Sequence, residues 1–90
     1  MTTITTDSRP RLRRGVRLTF DSVRNTHVLL FPEGVLVPNP TAAAILELCD
    51  GVSTVDEIAL RLTERYQGVL ASDIADVLTR LAERRVVEWS

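Results

Sequence analysis

Val16, Leu18 and Phe20 alternate with Arg17 and Thr19, a period of two that predicts a strand with those three apolar side chains buried. After a largely polar connection over 21–25, His27 to Phe31 is almost continuously apolar, which suits a central strand covered more fully than its neighbours. Pro32-Glu33-Gly34 then reads as a tight turn, because proline presets φ and glycine accepts positive φ. Val35-Leu36-Val37 forms a third short strand, stopped at Pro38 by the missing backbone donor. Three strands with short connections make an antiparallel meander whose third strand is an edge. If both valines face outward, Leu36 faces the core.

The periodicity then changes to that of helices. Asn39 is placed to cap a helix over 40–49, with Pro40 in its first turn, where the missing N–H costs nothing. Ala44, Ile45, Leu48 and Cys49 define its inner face, and Gly51 reads as its left-handed terminator. Thr54 and Glu57 make the pattern of a capping box for a second helix. Its buried stripe is Val55, Ile58, Ala59, Leu62 and Tyr66, with Glu57 and Arg61 paired on the wet side and Gln67-Gly68 as its end. A third helix spans about 71–84, with Ile74, Val77, Leu78 and Leu81 inward and Ser72 as its cap. Val86 to Trp89 is a short β-like tail that packs back. The predicted class is α+β and winged-helix-like: a three-stranded antiparallel meander followed by three helices.

Composition narrows the possibilities. Ninety residues make one small domain with a modest core. Residues 1–8 are polar and aperiodic and read as a disordered tail, leaving 9–90 as the single domain. Arg9, Arg11, Arg13, Arg14 and Arg17 form a basic arm of +5. With a chain total of −1, the remainder carries −6. The arm either offsets an acidic body in solvent or meets an acidic partner. No apolar run approaches the length of a membrane span, and one cysteine precludes an intrachain disulfide. A cytoplasmic protein that does not engage membranes is expected.

No catalytic constellation is present in the sequence. It holds one histidine, one cysteine, no phosphate-binding glycine loop and no zinc pattern. His27 reads as a structural strand-edge residue, Cys49 as a small buried hydrophobe and Trp89 as a core or interface anchor. A binding protein without a cofactor is expected, not an enzyme. A winged-helix DNA binder using the arginine arm is one reading. It is weakened by the third helix, which has no net charge and begins with Asp73 and Asp76, so its first turn repels phosphates. A second reading uses the edge strand, which can accept an extended peptide by β-addition. Its bland counterpart is an edge kept short by Pro38 to avoid aggregation. Homodimerisation through the same edge is a third.

The run LLFPEGVLVPNPTAAAILELCDGVSTVDEI, preceded by RPRLRRGVRL and followed by Tyr66 and DIADVLTRL, closely resembles the PqqD family over about 9–87. These are small peptide chaperones of pyrroloquinoline quinone biosynthesis. The resemblance implies a winged-helix-like domain that recognises the leader of the precursor peptide PqqA. The peptide is presented to the radical-SAM enzyme PqqE, which cross-links a glutamate and a tyrosine within it. The iron–sulfur chemistry then belongs to the partner. The resemblance further implies that the leader adds as a strand against the third strand and third helix. On this chain those positions are Gly34, Val35, Leu36 and Val37, with Asp76, Val77 and Arg80 expected on the helix side. Two positions depart from the family pattern: Pro38, where leucine is more usual, and Arg85, near which glycine is common. The first removes a ladder donor, and the second puts a side chain where a left-handed terminator favours none.

Overall fold

The computed structural model describes residues 3–68 and 70–90. The elements run β1 (Pro10–Leu12), β2 (Arg17–Asp21), β3 (Thr26–Phe31), β4 (Gly34–Leu36), α1 (Pro40–Glu47), α2 (Val55–Thr63), α3 (Ala71–Glu83) and β5 (Val87–Trp89). Strands β2, β3 and β4 form the expected antiparallel meander in that order, with β4 at one edge. Leu18, Leu29 and Leu36 stand in one cross-strand row and meet the helical layer. Leu29 is wholly buried there with Ile45 of α1, Ile58 and Leu62 of α2, and Ile74 and Leu78 of α3. Each such side chain withdrawn from water contributes about 1.5–3 kcal/mol.

One alternating residue does not follow the buried row. Phe20 pairs across the strands with His27 and is 51% exposed. This end of the hairpin overhangs the core, so the ring packs edge-on against His27, 5.1 Å between centroids. His27 Nε2 in turn lies 2.8 Å from Glu47 Oε1 and ties β3 to α1.

The helix boundaries follow local chemistry. Asn39 Oδ1 accepts the Ala42 N–H at 2.8 Å, as a cap should. The helix closes earlier than expected, at Glu47, where the Leu48 and Cys49 N–H groups tighten onto Ile45 and Leu46 carbonyls. Gly51 (φ +79°) is therefore not its terminator. Its N–H reaches the Pro10 carbonyl at 2.8 Å, and a Cβ there would lie 3.5 Å from that of Arg11. Asp50 turns the chain between them by accepting the Val52 and Ser53 N–H groups, and those bonds hold its carboxyl below the usual range. The capping box forms as read, with Thr54 Oγ1 on the Glu57 N–H and Glu57 Oε1 on the Thr54 N–H. Among the described residues Glu57 makes no ion pair with Arg61, because its carboxylate is turned back to the cap. Helix α2 ends at Thr63, and Tyr66 lies half-buried beyond it. Ser72 is not the cap of α3. Leu70 takes that place, and Asp73 accepts its N–H at 3.1 Å.

A second sheet was not expected. Strand β1 pairs antiparallel with β5, placing Arg11 opposite Glu88 and Leu12 opposite Val87. The predicted tail strand thus packs back, but onto the predicted basic arm. Arg11 Nε lies 2.8 Å from Glu88 Oε2, Arg13 Nε lies 3.8 Å from Glu88 Oε1, and the Arg9 guanidinium meets the Val52 carbonyl. Within the expected disordered tail, Ser8 is buried, and the Thr6 and Ser8 carbonyls accept the Asp56 and Val55 N–H groups. Met1 and Thr2 lie outside the described residues.

Between α3 and β5 the chain closes a Schellman motif. The Val86 N–H bonds the Leu81 carbonyl and the Arg85 N–H bonds the Ala82 carbonyl. Arg85 stands in the left-handed position, at φ +61°, where glycine is usually found. The absence of glycine here, noted from the sequence, is a real backbone cost.

Cys49 is buried, and its Sγ donates to the Ile45 carbonyl at 3.2 Å. Burial, with a smaller push from the Asp50 charge, raises the thiol to about 12. A raised folded value means stability present below the thiol's unfolded value of about 8.5 and lost as pH climbs from there toward the folded one.

Thr54→Ala removes one arm of the capping box and lowers stability by about 1 kcal/mol in urea denaturation. Arg85→Gly relieves the left-handed cost and raises stability by about 1 kcal/mol; an unchanged or lower thermal midpoint would refute the strain. Iodoacetamide at pH 8 leaves Cys49 unmodified in the folded chain and alkylates it in denaturant. The loss of stability above about pH 8.5 is shallower in Cys49→Ala.

Candidate functional site

The loop Pro32-Glu33 has two residues, so Phe31 and Gly34 close the β3–β4 hairpin and exchange both of their backbone bonds. The alternation of antiparallel pairs then makes Leu30 and Val35 a non-hydrogen-bonded pair, and Leu29 and Leu36 a bonded one. Gly34 and Leu36 therefore direct their N–H and C=O groups to β3, while Val35 directs its own away from the sheet. Burial follows the same parity. Leu36 packs against the core and Val35 is 63% exposed. The alternation continues beyond the strand, with Val37 55% exposed and Pro38 buried.

Two sequence expectations change as a result. Of the four residues Gly34 to Val37, only Val35 and, by the same alternation, Val37 offer backbone groups to a new strand. Pro38 belongs to the inward-directed set, so its missing N–H removes no donor from the free edge. Its ring is buried instead. The inward orientation of Leu36 between two outward valines is as expected.

The three helix residues occupy one side of α3. Val77 is half-buried and packs against the same core as Leu36. Asp76 and Arg80, one turn apart, are exposed together on one side of it, and Arg80 Nε reaches the Asp76 carbonyl at 3.4 Å. No hydrogen bond or ion pair joins α3 to β4 among the described residues. Leu36 and Val77 each pack on the one core that the whole domain shares, and the two elements come together through the segments at their ends. Arg85, just past α3, lines one cavity with Pro32 and Glu33, just before β4. A further cavity of about 510 Å³ between α1 and α2, lined by Glu47, Arg61 and Arg65 among others, contains none of the seven expected residues.

Sequence reading missed Glu88 as the partner of Arg11 and Arg13, and Glu47 as the partner of His27. The only available signal for the first was the short PRL and VEW segments of opposite charge at opposite ends of the chain. Among the described residues no three His, Cys, Asp or Glu side chains are grouped to hold a metal, and no helix is long and apolar enough to cross a membrane.

Residues 26–87 match the family model of coenzyme PQQ synthesis protein D (PqqD). A bifunctional coenzyme PQQ synthesis protein C/D of Methylorubrum extorquens is 48% identical over 88% of this chain, which spans 22% of that longer protein. A PqqA binding protein of Pseudomonas paraeruginosa is 42% identical, covering 92% of this chain and 89% of the relative. The solution structure of the PqqD truncation of Methylobacterium extorquens PqqCD superposes with a TM-score of 0.74 at 48% identity, covering 88% of this chain and 87% of that one. That truncation is described as a functional, stand-alone recognition element for ribosomally synthesized and post-translationally modified peptides. The likeness extends over sheet and helices together, and the relatives are a binding protein and a recognition element. This chain belongs to the PqqD family.

Proposed function

We propose that this domain captures a PqqA-like precursor peptide as an added strand on β4 and presents it to a PqqE-like radical-SAM enzyme in the cytoplasm. The domain contributes binding and position, with no cofactor of its own. The free edge of β4 carries the reading. Val35 and Val37 aim unpaired backbone groups outward, and their exposed side chains give an incoming strand apolar neighbours. On the inner side the peptide meets Leu36 and Val77, with Asp76 and Arg80 exposed together on the adjoining face of α3. The relatives named for PqqA binding and peptide recognition support the same client class.

The outward parity makes proline a selective probe. At 35 or 37 it deletes a donor that the β3–β4 ladder does not use. Backbone amide NMR during titration with a synthetic PqqA-like peptide is expected to give saturable shifts on Gly34 to Val37 and on α3. Val35→Pro and Val37→Pro are expected to weaken binding tenfold or more, about 1.4 kcal/mol, with the folded spectrum retained. Unchanged affinity in both variants would overturn strand addition.

A further inference from the structure

Three turns converge at the Gly34 end of the edge strand. Arg13 and Arg14 leave β1, Pro32 and Glu33 form the β3–β4 loop, and Arg85 follows α3; together they line a cavity of about 120 Å³. The contact between the turns is close, since a Cβ on Gly15 would lie 3.6 Å from the Pro32 ring. Three guanidinium groups and one carboxylate give the cavity a positive excess. Glu88 takes up part of the Arg13 charge at 3.8 Å. Among the described residues neither Arg14 nor Arg85 has an ion-pair or hydrogen-bond partner for its guanidinium. Arg85 also holds the left-handed backbone position at the end of the Schellman motif, which costs stability with any side chain present. Strain of this kind persists where the surrounding structure imposes it and is concentrated at ligand clamps.

We infer that this arginine cavity is a carboxylate site, and that it binds an acidic side chain of the peptide strand lying beside Gly34. The inference rests on strand addition at β4. It adds a specificity element that the backbone edge lacks: ladder bonds read no side chain, whereas a guanidinium pair selects a carboxylate and fixes which stretch of the peptide sits at the hairpin end. Continuity with the edge and charge complementarity both favour an Asp or Glu of that strand. Glu33 limits the charge excess and disfavours occupancy by a more highly charged anion.

Two synthetic PqqA-like peptides separate the possibilities, one with native carboxylates and one with each Asp or Glu replaced by its amide. Affinities are measured by calorimetry at low salt for the full chain and for Arg14→Gln, Arg85→Gln and Val35→Pro. Each arginine variant is expected to bind the native peptide roughly threefold to fivefold more weakly. The amide peptide binds the unaltered chain more weakly and is indifferent to both arginine changes. Equal losses for the two peptides, or arginine variants that bind the native peptide as well as the unaltered chain does, would overturn the carboxylate site. Val35→Pro separates this failure from that of strand addition. If it alone abolishes binding, the edge holds and the arginine cavity does not. If it binds normally while the arginine variants discriminate between the peptides, the cavity takes a carboxylate that no strand on β4 delivers, and strand addition, with the placement built on it, is overturned.

Discussion

A two-residue loop leaves an antiparallel hairpin no freedom of register. With Phe31 and Gly34 closing the turn at Pro32-Glu33, every later residue of β4 has its direction settled. Leu36 must enter the core and Val35 must leave it, and the same parity commits half of the strand's backbone groups to β3 and frees the other half. One extra loop residue would exchange these roles, burying the free groups and exposing the apolar row that Leu36 completes with Leu29 and Leu18. The prolines support this arrangement from both sides. Pro32 presets the turn, and Pro38 ends the strand in the inward-directed position, where its lack of a donor leaves the outer edge intact.

The rest of the fold holds that edge in place without covering it. Helices α1, α2 and α3 fill the inner side of the sheet through Ile45, Ile58, Leu62, Ile74 and Leu78. The second sheet lies elsewhere, bonded to the Asp50-Gly51 turn through Pro10 and to the end of α3 through Val86. An uncovered strand edge is ordinarily an aggregation hazard. Here it is short and flanked by prolines, which limit how far a chance partner could extend along it.

Local chemistry was legible in the sequence and distant pairing was not. The capping box, the Asn39 cap and the Pro-Glu-Gly turn depend on residues three or four apart, so their signals lie side by side in the chain. The edge position of β4 followed from the two prolines and chain order. Strand β1 gave no such signal: its partner Glu88 is 77 residues from Arg11, and three residues are too few to display a period. A run of arginines was therefore left without an intrachain partner, although Glu88 was available to two of them. Phe20 alternated correctly, but periodicity assigns a face and does not reveal where along that face the core ends. Asp76, Val77 and Arg80 were placed together by helical spacing, whereas the meeting of the end of α3 with the β3–β4 loop required the tertiary fold.

The seam between β1 and β5 also fixes where the chain enters and leaves. Arg9 and Ser90 bond each other's backbones, and Thr3 and Ser90 line a common cavity of about 320 Å³. A polypeptide attached before residue 3 or after residue 90 would depart from nearly the same point on the surface. Fusion order would then have little influence on geometry. A neighbour tethered through either end would search the same volume around the domain, and its effective concentration at β4 would depend on linker length rather than on which end carried it.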